Sequence, residues 1–174
     1  MSNLKVIEPT VFGDGRGYFF ESFNQSKYNI NRNFVQDNIS KSKRNVLRGL
    51  HYQLKHPQGK LVTVIKGKIL DVAVDLRKSS PSFGMHKSII LSDENHKQFW
   101  IPEGFAHGFL TLEEENIIHY KCTDFYYPDD YNILRWNDEQ LNIDWNITDI
   151  PTMTDKDREA KCLDELIEYN EVYE

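Results

Sequence analysis

Cysteine is scarce in this chain: two residues in 174, Cys122 and Cys162, neither in a spacing that pairs for a metal or a redox couple. That excludes a disulfide framework and fits free thiols in a reducing compartment. Long apolar runs are missing as well. No stretch approaches the ~20 residues of a membrane span, and Met1-Ser2-Asn3-Leu4-Lys5 opens no apolar core of signal-peptide length, so the expectation is a soluble cytoplasmic protein. There is no excess of positive charge: the formal net charge is −6, which argues against a nucleic-acid surface and makes any local group of cations a site rather than a stripe. Helical periodicity is absent until 157–169, where Ala160, Leu163, Leu166 and Ile167 fall at helical spacing. No internal repeat or low-complexity linker divides the chain, whose length suits one domain, 1–174.

What the chain does have is aromatic residues, 10 Phe, 9 Tyr and 3 Trp, set in short alternating runs that suit strands. Strands are predicted at 4–7, 18–23, 61–65, 69–76, 87–91, 98–101, 105–112 and 116–125, with turn signals at 92–95 and 102–104. Lys66-Gly67-Lys68 reads as a short hairpin between two of them. In 69–76 the residues Leu70, Val72, Val74 and Leu76 alternate with Asp71, Ala73 and Asp75, so one face is expected to pack and the other to be polar. The fold class is therefore all-β, an antiparallel β-barrel or sandwich with a short C-terminal helix.

The chain is organised around Asn45-Val46-Leu47-Arg48-Gly49-Leu50-His51-Tyr52-Gln53, followed by Gln58-Gly59-Lys60-Leu61-Val62. A lone strand histidine is usually a satisfied core residue. Here an arginine stands three residues before it and a lysine nine after, and buried cations are costly unless an anion meets them, so an anionic ligand is the simplest partner. Strict alternation puts Leu47, Gly49, His51 and Gln53 on one face and Arg48 on the other. Arg48 and His51 serve one pocket only if the strand bulges, most naturally at Gly49, or if one of them comes from another subunit. His107 lies between aromatics and glycines in Gly104-Phe105-Ala106-His107-Gly108-Phe109, and Tyr120 and Tyr126 share a face of the last strand. Gln36, Asp37 and Asn38 are three consecutive polar residues able to hydrogen-bond a sugar or base. Arg16 and Glu21 flank an aromatic strand after a glycine-rich turn, and by pattern alone they are a solvated loop arginine and an edge glutamate.

The ordered motifs Val-Phe-Gly-Asp-Gly-Arg-Gly, Phe-Val-Gln-Asp-Asn, Asn-Val-Leu-Arg-Gly-Leu-His-Tyr-Gln, Gln-Gly-Lys-Leu-Val, Asp-Val-Ala-Val-Asp-Leu-Arg, Trp-Ile-Pro-Glu-Gly-Phe-Ala-His-Gly-Phe and Trp-Asn-Asp resemble the dTDP-4-dehydrorhamnose 3,5-epimerase family over nearly the whole chain. The resemblance implies a cupin-like jelly-roll barrel, a homodimer, and a cofactor-free, metal-free epimerisation at C3 and C5 of a dTDP-linked 4-keto-6-deoxy sugar. The alternative within that chemistry is a relative inverting one carbon only. By the same resemblance His51 matches the base, Asp157 its paired carboxylate, Lys60 the stabiliser of the enolate and Tyr120 the acid. Arg16, Glu21, Gln36, Asn38, Arg48, His107 and Lys156 match sugar and diphosphate ligands, and Tyr126 matches the residue that stacks on thymine. Three departures stand out: a short arm before Val6, Ile39 in place of a histidine, and Tyr131 in place of an acid. A metal-dependent oxygenase on the same barrel would need closely spaced histidines that the chain does not offer. A non-catalytic binding module would have no use for His51, Lys60, Tyr120 and Asp157 together.

Overall fold

The structure is a computed structural model that describes residues 3–174; Met1 and Ser2 of the N-terminal arm lie outside the described residues. In chain order the strands are β1 (Lys5–Ile7), β2 (Phe12–Asp14), β3 (Gly17–Phe19), β4 (Gln36–Ser42), β5 (Leu47–Gln53) and β6 (Lys60–Lys66). They continue as β7 (Lys68–Asp75), β8 (His86–Ser92), β9 (Gln98–Ile101), β10 (Phe105–Thr111), β11 (Asn116–Cys122) and β12 (Tyr131–Ile133), followed by helices α1 (Asp155–Arg158) and α2 (Leu163–Glu168).

Two antiparallel five-stranded sheets face each other, one ordered β1-β9-β6-β11-β4 and the other β12-β5-β10-β7-β8, while β2 and β3 form a separate hairpin. Between the sheets Val62, Val64, Ile69, Ala73, Phe99, Phe109 and Ile118 form one core. A second core lies outside the β5-β10-β7 sheet, where Leu50, Leu70, Val72, Val74 and Ala106 meet Leu134, Trp145, Leu163 and Leu166 of the C-terminal segment. The outer face of the other sheet is covered by Ile30, Phe23 and Phe34 against Leu61 and Trp100. Strand propensity and alternation thus give the expected all-β fold, since each sheet must bury two faces and the chain has aromatic and branched residues for both.

Three expectations change. Lys66-Gly67-Lys68 is no hairpin: β6 and β7 belong to different sheets, and Gly67, at φ 86°, turns the corner between them. A Cβ there would sit 2.4 Å from the Glu115 carbonyl oxygen, so only glycine fits. The polar face of β7 is not solvated, because the C-terminal segment covers one side and the facing sheet the other; Asp71 and Asp75 are fully buried. Asp75 is satisfied by Arg77, Ser80 and Ser82. The single helix expected over 157–169 is two short ones. Arg135 N donates to the Lys161 carbonyl at 2.8 Å in an extended link, and the Glu165 carboxylate then accepts from Cys162 N at 2.7 Å to start α2.

The β5 bulge is present where Gly49 allows it. His51 pairs with His107 and Arg48 with Phe109, so three steps on β5 oppose two on β10, and one extra residue reverses the alternation. Gly49 takes φ 118°, and a Cβ on it would lie 2.6 Å from Gly108 Cα and 2.7 Å from the His107 carbonyl oxygen. Gly49→Ala is expected to cost roughly 3 kcal/mol through strain and overpacking, read as a lower denaturant midpoint. A midpoint equal to that of the wild type would show that β5 can be regular.

Candidate active site

The bulge brings Arg48 and His51 to one cleft of roughly 1130 Å³ between the sheets, lined also by Asn38, Lys60, His107, Tyr120, Tyr126, Tyr131, Lys156 and Asp157. His51 comes from β5, and Asp157 from α1. Asp157 Oδ1 accepts from His51 Nε2 at 2.5 Å, and its Oδ2 accepts from Thr154 Oγ1 at 2.9 Å. Thr154 is the N-cap of α1 and also accepts from Asp157 N, so the helix start fixes the carboxylate that holds the imidazole. Burial alone would raise the Asp157 carboxyl, but the hydrogen bonds from His51 and Thr154 outweigh it and hold the group below the ordinary carboxylate range. An ionised Asp157 accepts only. Nε2 therefore carries the proton, and Nδ1 is left as the acceptor on the ring. Burial pushes the His51 pKa below its usual value against the pull of Asp157, with the positive fields of Lys60 and His107 adding to the drop.

Lys60 begins β6 and is 8% exposed, its Nζ donating to the His51 carbonyl oxygen at 3.3 Å. Burial pushes its pKa down, opposed by Cys122 and Asp71. Desolvation of this kind makes the ammonium responsive to any anion that enters the cleft. On β10, His107 Nε2 lies 3.0 Å from both oxygens of Asp71, whose carboxyl is raised by burial and lowered by His107 and Lys60. Tyr120 stands on β11, in the sheet opposite His51. Burial raises its hydroxyl pKa, Cys122 adds to this and Arg48 opposes it, so the phenol keeps its proton at neutral pH. A neutral imidazole, a buried cation and a protonated phenol thus face one space, the set needed to remove a proton beside a carbonyl and return one from the other side.

Other site residues sit at the rim or outside it. Arg48, whose Nε donates to Ser42 Oγ at 3.1 Å, is exposed at the mouth rather than buried as the pattern implied. Tyr126 and Lys156 also line the mouth. Gln36 stands one layer back, donating to Asn38 and accepting from Tyr126 N at 2.9 Å, so it positions both. Asp37 points the opposite way from Gln36 and Asn38, as strand alternation requires, and is paired with Lys121 at 2.8 Å. Arg16 is not in the cleft of its own chain: its side chain is 91% exposed on the β2–β3 hairpin and pairs with Asp14 at 2.5 Å. Glu21 likewise pairs with Lys27 and Asn24 outside the cleft. Two supporting residues were missed, Asp71 and Thr154. No pattern marked the first, since alternation reads Asp71 as part of a solvated face, whereas a threonine three residues before a helical aspartate was the available signal for the second.

The family model for dTDP-4-dehydrorhamnose 3,5-epimerase matches residues 1–165. The chain belongs to that family. This epimerase, an isomerase, is 51% identical over 170 residues to the dTDP-4-dehydrorhamnose 3,5-epimerase of Salmonella typhimurium, covering 95% of this chain and 93% of the relative. It is similar also to the crystal structure of dTDP-6-deoxy-D-glucose-3,5-epimerase from Legionella pneumophila in complex with dTDP-4-keto-L-rhamnose, at 47% identity and TM-score 0.95, covering 99% of this chain and 94% of that one. A more distant likeness, 27% identical with TM-score 0.92 over 98% of this chain and 88% of that one, is to a 3'-monoepimerase from Streptomyces bikiniensis in complex with dTDP-quinovose. The fold of the epimerase is thus that of the family, two antiparallel sheets packed as a cupin-like barrel. Among its described residues no helix is long and apolar enough to cross a membrane.

Proposed function

We propose that this epimerase converts dTDP-4-dehydro-6-deoxy-D-glucose to dTDP-4-dehydro-L-rhamnose in the making of dTDP-L-rhamnose, with His51 as base and Tyr120 as acid. The observation that carries this is the placement of the two on opposite sheets of one cleft, His51 on β5 and Tyr120 on β11. A C–H next to a ketone is acidic only when the enolate oxygen is stabilised, and inversion needs the new proton to arrive on the other ring face. His51 Nδ1 takes the proton, Asp157 stabilises the imidazolium, Lys60 meets the charge that grows on the carbonyl oxygen, and Tyr120 delivers the replacement. His107, held by Asp71, is a donor or acceptor for the sugar beside Lys60. Asn38, with Gln36 behind it, faces the sugar from β4. Arg48 and Lys156 at the mouth take the diphosphate, and the half-exposed ring of Tyr126 takes the thymine.

A homodimer is part of the same reading. The β2–β3 hairpin is a two-stranded sheet of its own, too small to be stable alone, and it exposes Phe12, Tyr18 and Phe19. A second copy that covers those rings would carry its neighbour's Arg16 and Glu21 toward a cleft that lacks them. The test of the activity is incubation with the 4-keto substrate in heavy water, counting deuterium at each carbon. Deuterium at both C3 and C5 of an inverted product is expected; incorporation at one carbon alone would reduce the enzyme to a single epimerase.

A further inference from the structure

We infer that Tyr131 is a positioning residue for His51, its ring closing water off from the imidazole so that the base remains unprotonated and in place. The inference rests on the reading of His51 as the base. The Tyr131 and His51 ring centroids are 4.9 Å apart at 43°, a direct aromatic contact with no room for water between them. Asp157 already occupies the Nε2 edge of the imidazole, so Tyr131 covers a face that the carboxylate leaves open. What remains uncovered is small, since the His51 side chain is 22% exposed.

The placement of this ring is built into the fold. β12 pairs antiparallel with β5, setting Tyr131 opposite Gln53 and Ile133 opposite His51, so the two rings are carried by hydrogen-bonded neighbours. The preceding residue, Asp130, is buried and accepts from the backbone N–H groups of Leu54, Lys55 and His56 at 2.7–3.1 Å, clamping the entry of β12 to the exit of β5. On its other side Tyr131 meets the edge of Tyr126 at 5.7 Å. Burial, the field of Asp157 and the neighbouring phenols push the Tyr131 hydroxyl upward, so the residue brings no charge to the base.

The groups facing His51 decide the sign of the effect. Asp157 on α1 favours the imidazolium; Lys60 on β6 and His107 on β10 oppose it, and desolvation is the largest influence against it. Arg48 beside it on β5 and Lys156 on α1 add positive charge to the cleft, Asp155 and Glu159 of the α1 segment add negative charge, and the hydroxyls of Tyr120 and Tyr131, pushed up by burial, stay protonated. Removing the Tyr131 ring admits water, leaves Asp157 in place and so favours the protonated, inactive imidazole. His51, lowered in the folded state, then titrates at higher pH, and activity is lost sooner as pH falls.

The experiment is an NMR titration of the His51 ring in the full-length protein, paired with kcat/KM against pH, for wild type, Tyr131→Phe and Tyr131→Ala. Tyr131→Phe should leave the His51 midpoint unmoved, because the ring and not the hydroxyl is invoked. Tyr131→Ala should raise it by about one pH unit toward the ordinary histidine value of roughly 6.5, with the acid limb of kcat/KM rising by the same amount. Tyr131→Thr, whose branched side chain suits β12, gives the same reading should the alanine variant not fold. A His51 midpoint unchanged by loss of the ring overturns the inference, as does an equal rise in Tyr131→Phe. A midpoint that rises while the acid limb stays put upholds the role of Tyr131 and removes His51 as the base.

Discussion

His51→Asn is expected to lower turnover by roughly 10²–10⁴-fold, the usual contribution of a positioned base, with the fold intact. An asparagine amide can still donate toward Asp157, so the hydrogen bond that closes α1 onto β5 survives in outline. What it lacks is a second nitrogen with a free lone pair, and with that the C–H proton has nowhere to go. The variant should neither invert the sugar nor exchange its protons with heavy water, while its circular dichroism and melting temperature stay near those of the wild type. Exchange at the native rate in a well-folded His51→Asn protein would assign proton removal to another group, with Lys60, whose burial favours the neutral amine, the candidate base in the cleft.

Tyr120→Phe should produce a different failure, and the contrast is diagnostic. If His51 removes the proton from one ring face, the loss of the phenol stops delivery on the other face but leaves removal intact. Substrate incubated in heavy water should then gain deuterium with retained configuration, returned from the His51 side, while inverted product falls by orders of magnitude. Were Tyr120 only a packed side chain, its loss of a hydroxyl would cost about 1 kcal/mol of stability and leave inversion near the native rate. Measuring exchange and inversion on the same sample separates these outcomes.

Much of this site was legible in the residues because strand alternation is a strong constraint. The cations around His51 pointed to an anionic ligand, and the wrong-face problem of Arg48 left two ways out, a bulge at Gly49 or a residue from another subunit, of which the fold takes the first. Alternation also separates Asp37 from Gln36 and Asn38, so its position on the outer surface could have been read from the same rule. The corner at Gly67 was not legible, since a turn signal says that the chain reverses and not which sheet it joins. Nor was the burial of Asp71: with Leu70, Val72 and Val74 read as the packed face, the aspartates look solvated until one knows that a distant C-terminal segment covers that aliphatic face and that Asp71 turns inward toward the facing sheet. The break between α1 and α2 was hidden for a similar reason, because Lys161 is pulled into a bridge with Leu134 that lies outside any helical period.

The two halves of the proposed catalytic pair are anchored in different parts of the chain. His51 belongs to the barrel, whereas Asp157 and Lys156 ride on a C-terminal clasp. That clasp is held by bridges of Thr152 to Val46 and Tyr173 to Arg77, by the Tyr52 hydroxyl donating to the Glu171 carbonyl oxygen, and by the seating of Leu163 and Leu166. Detachment of the clasp would part the imidazole from its carboxylate and strip Leu50, Leu70, Val72 and Val74 of their cover, so the His51–Asp157 pair exists only while this segment is seated. A nucleotide sugar that engages Lys156 together with barrel side chains binds only the closed form, and by mass action it protects the amides of 152–158 from hydrogen exchange as it occupies the cleft.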